Sequence, residues 1–211
     1  LEGAGAVVVS VAYPLTPFPQ PVDTGYGVLQ WVHRHRTKLG GQGALVYLAG
    51  EEAGGNLAAA VALMARDQAH PPLAGQILLS PMLDPCVGSA SQRRTTGDAV
   101  DCKWVQGWRN FLRCPRDAEH PYAVPASAHR LAGLPPTLVL VGDTDPMRDE
   151  ALAYAARLHA AGLQVTQHVF AKAEKWPEPL LETGPHECPC AGAVQEEFRR
   201  FFEATRCRES S

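Results

Sequence analysis

The chain has 211 residues, 45% of them hydrophobic and 19% charged, and a formal net charge of −3. That length suits one domain with a real buried core, and the mildly acidic balance gives no basic surface for a nucleic-acid partner. No apolar run reaches the roughly 20 residues that a membrane-spanning helix needs.

The opening Leu1-Glu2-Gly3 has neither a basic start nor a signal-peptide pattern, and no initiator Met; it reads as a processed chain or a fragment, and a cytoplasmic location is expected. Ala6–Tyr13 (AVVVSVAY) is a continuous β-branched apolar run, predicted as a strand buried on both faces. Four prolines between Pro14 and Pro21 force a loop. Val22, Tyr26, Leu29 and Val32 then recur at helical spacing, and Gly40-Gly41 ends that helix. Ala44–Ala49 (ALVYLA) is a second predicted strand, followed by a Gly-rich turn and the helix LAAAVALMARD. Gly75–Ser80 (GQILLS) is a third strand.

Residues 85–130 are more polar, with Trp104, Trp108 and Phe111 at helical spacing. They read as a cap-like insertion containing one helix, the three aromatics forming its core or a platform for substrate, within a single domain spanning 1–211. Alternation resumes with the strand Thr137–Val141, a helix over Asp149–Ala161 with Leu152, Ala156 and Leu158 inward, the strand Val165–Phe170 and an amphipathic helix over Ala193–Phe202. Strands alternating with helices imply an α/β fold, a mostly parallel sheet of five or six strands with helices on both faces.

In such sheets chemistry collects at the carboxyl ends of the strands. Three ends stand out: Gly50-Glu51-Glu52-Ala53-Gly54, Gly142-Asp143-Thr144-Asp145-Pro146, and the segment from Ala171 to Trp176. Their order is elbow, acid, third member, which matches the chain order of a Ser-Asp-His hydrolase. On these residues the chain resembles the hormone-sensitive-lipase-like branch of the α/β-hydrolases, the esterases and arylacetamide-deacetylase relatives. GEEAGGNLAAAVALMARD resembles that branch's Gly-Asp-Ser-Ala-Gly-Gly-Asn elbow. VVVSVAYPLTPFPQPVDTGYGVLQWV resembles its strand, Tyr-Arg-Leu-Ala-Pro loop and helix, and LAGQILLSPMLDP, GDTDPMRDE and VTQHVFAKAEKW match later segments. The resemblance implies an α/β-hydrolase three-layer sandwich and carboxylic ester hydrolysis without a cofactor.

The departures bear on that activity. The elbow apex carries Glu52 where the branch has Ser, and the third position carries Lys175 where it has His; only Asp145 matches. The branch's His-Gly-Gly-Gly loop and the strands before it lie upstream of the stretch that opens this sequence, so the Ala53 N–H is the one oxyanion donor expected from these 211 residues. A carboxylate is a poor nucleophile toward an ester, and a protonated Lys is a poor base. Ester hydrolysis is therefore expected to be impaired or lost. Two readings of the replaced pair stand side by side: a Glu52–Lys175–Asp145 ion network that holds the elbow, or solvated charges at the pocket rim. Alternative functions are a binding module for a small apolar, ester-like or acyl ligand, and a non-hydrolytic enzyme using Glu52 or Asp145 as acid or base. The open side of the sheet is expected to show an unpaired edge through which copies associate. Six cysteines are too sparse for a disulfide scaffold and read as reduced thiols. His186, Cys188 and Cys190 are a surface loop; a lone Cys-x-Cys pair does not make a metal site.

Overall fold

The computed structural model describes residues 1–96, 103–174, 176–177 and 189–207. Its helices are α1 (Gln20–Gly40), α2 (Ala53–Asp67), α3 (Ala90–Thr96), α4 (Lys103–Phe111), α5 (Arg148–Ala160) and α6 (Ala191–Arg206). Its strands are β1 (Tyr47–Glu51), β2 (Gly75–Leu79), β3 (Thr137–Gly142) and β4 (Val165–Phe170). The strands form one sheet in the order β1-β2-β3-β4, every neighbouring pair parallel. Ala49 lies opposite Ile77, Ile77 opposite Leu138, and Leu138 opposite Thr166.

Side-chain alternation sorts the core into two layers. Ile77, Leu138, Leu140 and Phe170 meet Phe198, Phe201 and Phe202 of α6 on one face. On the other, Leu78 packs with the alanine-rich α2 and with Tyr154 and Leu158 of α5, while Val139 and Val141 meet Ala151 and Ala155. β2 and β3 are therefore apolar at consecutive positions, as central parallel strands covered on both sides must be. Parallel pairing places all four carboxyl ends on one edge, where the turns after each strand gather.

Five expectations need correction. Ala6–Tyr13 pairs with no strand among the described residues; Val7, Val8 and Val9 are 63%, 41% and 39% exposed. β-branched composition alone makes no strand without a hydrogen-bonded neighbour, and a cavity of about 950 Å³ lies between this segment and β1. The sheet accordingly has four described strands, not five or six. The insertion holds two helices, α3 and α4, instead of one. Trp104 and Trp108 do not form a separate lid core; they are buried with Val22 and Leu29 of α1 and Val61 of α2. In α5, Leu158 is buried and Leu152 half-buried as expected, but Ala156 faces solvent.

Candidate functional site

The elbow is built by its neighbours. Glu52 sits between β1 and α2 at φ +47°, ψ −115°, a conformation that costs an L-residue about 1–3 kcal/mol. The turn is possible because Gly50 has no side chain: a Cβ there would stand 2.1 Å from the Gly54 carbonyl oxygen. At Gly55 a Cβ would press on Pro81 at 2.9 Å. The Glu52 N–H donates to the Leu79 carbonyl at 3.1 Å, and the Met82 N–H donates to the Glu52 carbonyl at 3.0 Å. The strained apex is thus clamped to the end of β2.

The Glu52 carboxylate meets the Lys103 ammonium of α4 at 3.5 Å, both side chains half-exposed. An exposed pair at that distance is worth well under 1 kcal/mol. Lys103 comes from the insertion; Lys175, the expected partner of Glu52 and Asp145, lies outside the described residues. Glu51, although much of it reaches solvent, has its carboxyl pushed up by partial desolvation and by the nearby Glu52 and Asp145 carboxylates, against an opposing pull from Lys103. Glu52 and Asp145 do share one edge of the sheet: Glu52 is among the groups that act on Asp145.

Asp145 is 3% exposed in the turn after β3. Three donors converge on it: Ser80 Oγ at 2.5 Å and Trp176 Nε1 at 3.0 Å, both on Oδ2, and the Met147 N–H on Oδ1 at 2.8 Å. The indole N–H is shared with Ser80 Oγ at 3.2 Å. Burial raises the Asp145 carboxyl above the ordinary range; the Ser80, Met147 and Trp176 bonds work against that rise, and Glu52 adds to it. Trp176 is held by stacking on Phe170, with ring centroids 4.8 Å apart. It also depends on Gly142, where a Cβ would lie 2.6 Å from the indole Cδ1. The side chain on the acid is therefore an indole, which donates a hydrogen bond but has no basic nitrogen to accept a proton.

Beside the elbow is an apolar pocket of about 230 Å³, lined in part by Ala53, Asn56, Leu57, Met82, Trp108 and Phe111. Asn56 Nδ2 donates to the Ala123 carbonyl at 3.0 Å, whereas Asn56 Oδ1 is buried with no hydrogen-bond partner among the described residues. Ala53, the expected oxyanion donor, opens α2 on the pocket wall.

The sequence reading missed Trp176, Ser80, Lys103 and Glu150. Trp176 had a signal, being next to the third position; Ser80 had the weaker one of closing a strand end. Nothing in the sequence ties Lys103 to the elbow. Glu150, 7% exposed, accepts the backbone N–H groups of Leu83 and Asp84 at 3.2 and 2.5 Å and pins the post-β2 loop to α5. Burial pushes its carboxyl up to about 8. The thiol reading is corrected at Cys190, which is disulfide-bonded: a thiol oxidises when a second cysteine is held in bonding geometry, however few cysteines the chain has. His186 and Cys188 lie outside the described residues. No helix of the described residues is long and apolar enough to cross a membrane.

Comparison with known proteins places this geometry. Residues 2–174 match the family model described as the alpha/beta hydrolase fold. The chain is 33% identical over 173 residues to Esterase LipI of Mycobacterium tuberculosis, covering 79% of this chain and 54% of LipI. It is 37% identical over 175 residues to the gibberellin receptor GID1C of Arabidopsis thaliana, covering 76% of this chain and 50% of the receptor. The chain thus spans about half the length of these relatives. Among solved structures, the hyperthermophilic esterase from Pyrobaculum calidifontis superposes with a TM-score of 0.78 at 31% identity, over 94% of this chain and 67% of that one. With its parallel sheet, strand–elbow–helix turn and esterase relatives, the chain belongs to the α/β-hydrolase fold family, in the hormone-sensitive-lipase-like esterase branch.

Proposed function

We propose that this protein is an esterase-lineage member of the fold in which the Glu52, Asp145 and Lys175 positions do not sustain ester hydrolysis. The observation that carries the reading is the indole of Trp176 on Asp145, combined with a carboxylate at the elbow apex. Triad hydrolysis requires a hydroxyl or thiol on the apex, a base beside it, and an acid that orients the base. Here the apex group is Glu52, whose attack on an ester would form a mixed anhydride while its charge opposes the developing oxyanion. The acid orients a donor that takes no proton. Each loss removes several kcal/mol of transition-state stabilisation.

A second reading is favoured by the pocket: a binding module for a small, largely apolar ligand. Its support is the 230 Å³ apolar space beside the elbow, and one relative is named as a receptor. A non-hydrolytic role for Asp145 as a general acid has the raised carboxyl in its favour, but the carboxyl's three hydrogen bonds leave it turned into the protein.

The test is the double variant Glu52→Ser with Lys175→His, assayed on p-nitrophenyl acetate. It supplies a nucleophile and a base but leaves the indole on Asp145, so little turnover is expected. Adding Trp176→Gly, to vacate the acid, should raise the rate above that of the double variant. Robust turnover by the double variant alone would remove the indole from the explanation.

A further inference from the structure

The elbow already holds an ammonium group. Lys103 Nζ lies 3.5 Å from Glu52 Oε1 and 5.1 Å from the centroid of the Trp104 ring, so a carboxylate and an aromatic face meet on one cation. Both members of the pair border the apolar pocket of about 230 Å³. Ala53 follows Glu52 in the chain, and Met82 donates its N–H to the Glu52 carbonyl; both residues line the pocket. Gly107, also on the wall, stands one helical turn after Lys103 on the same face of α4, and a Cβ there would lie 3.5 Å from Met82 Cε.

The pocket and the charge beside it select opposite ends of one molecule. Tyr13, Leu57, Met82, Trp108 and Phe111 give the pocket an apolar and aromatic wall. An apolar cavity of about 150 Å³ holds a benzene ring, so this one admits a ring with a short alkyl chain. Next to it stands the Glu52 carboxylate, on a side chain 33% exposed. Partial burial, and then the Glu52 carboxylate, push the Glu51 carboxyl up; burial does the same at Asp145, where Glu52 adds to the rise. Positive charge at Glu52 relieves both carboxyls, and an anionic ligand there would worsen both. The Lys103 side chain is 44% exposed, and an exposed pair of this kind is weak, so the lysine can turn to solvent and yield its place.

We propose that the pocket takes a small organic amine, with its apolar body among Leu57, Trp108 and Phe111 and its ammonium on Glu52 in place of Lys103. This rests on the reading of the pocket as a binding site and adds the charge of the ligand to it. A hydroxyl at the apex would treat an amine and the alcohol or ester of the same shape nearly alike. A carboxylate there separates them, because a charge-assisted hydrogen bond forms with the ammonium alone. Lys103 then acts as a competitor carried by the chain itself, and it lowers the affinity for an amine without touching that for a neutral molecule.

The experiment titrates the 211-residue protein with phenylpropylamine, phenylpropanol and phenylpropionate, which share one apolar body, and follows binding by ligand-observed NMR. The amine should bind about tenfold more tightly than the alcohol, and the carboxylate more weakly than either. Glu52→Gln should bring the amine to the affinity of the alcohol and leave the alcohol unchanged, whereas Lys103→Gln should tighten the amine alone. Alcohol binding as tight as that of the amine, or amine binding indifferent to Glu52→Gln, would overturn the assignment of the cation and leave the pocket standing. Binding of none of the three at millimolar concentration would overturn the pocket reading, and the proposal with it.

Discussion

Replacing Trp176 by Phe should destabilise the protein by about 3 kcal/mol. The phenyl ring can still stack on Phe170, but the N–H bonded to Asp145 at 3.0 Å and Ser80 at 3.2 Å is lost. A hydrogen bond to a charged group contributes about 1.5–3 kcal/mol; sharing it between two acceptors places this one near 2. The smaller ring adds about 1 kcal/mol for packing at a half-buried site. In a chain of this size each kcal/mol shifts the melting temperature by about 2–4 °C, so the expected loss is about 6–12 °C. The pH dependence has a definite sign. The indole bond is one of the contributions that hold the raised Asp145 carboxyl down, so Trp176→Phe pushes it higher. A folded-state pKa above the unfolded value gives stability that is present at low pH and is lost as pH rises through the folded pKa. The variant's deficit should therefore be small in acid, where Asp145 is protonated in both states, and largest at neutral pH. Urea titration of wild type, Trp176→Phe, Asp145→Asn and the double variant isolates the pair, with an expected coupling of about 1–2 kcal/mol. Coupling below about 0.5 kcal/mol, or a deficit that does not change with pH, would refute the assignment of the indole to the acid.

Two further outcomes follow from strain and burial. Glu52→Gly relieves the positive-φ apex at the cost of unfolded-state entropy and a weak surface pair, and should stabilise the fold by about 1 kcal/mol in thermal denaturation. Glu150 is bound to a proton more tightly when folded, with its carboxyl at about 8 against an ordinary 4.5. Stability should thus fall by about 3 kcal/mol between pH 4.5 and 7 on its account, and Glu150→Gln should flatten that slope in a pH series of urea melts.

Much of the fold was legible because burial on both faces leaves a plain mark. GQILL and TLVLV are apolar at consecutive positions and became β2 and β3, the central strands. Val22 and Leu29 recur at helical spacing and are the buried face of α1. The same mark misled at Ala6–Tyr13, since an apolar β-branched run records what a segment can pair with, not whether a partner is present. The elbow was legible through Gly50 and Gly55, where a Cβ would run into Gly54 and Pro81 respectively. Lys103 was not, because its meeting with Glu52 joins an insertion helix to a strand end 51 residues away in sequence. Trp176 was read only as a neighbour of position 175, since nothing in a local pattern shows that its indole turns toward the acid.

The central claim is that Glu52 at the elbow apex does not turn over esters, and hydrolysis of p-nitrophenyl butyrate by the unmodified chain and by Glu52→Gln tests it most directly. The account predicts that both proteins match the buffer rate and each other across a saturating range of substrate. Saturable hydrolysis by the unmodified chain that disappears in Glu52→Gln would contradict it and make Glu52 a catalytic group.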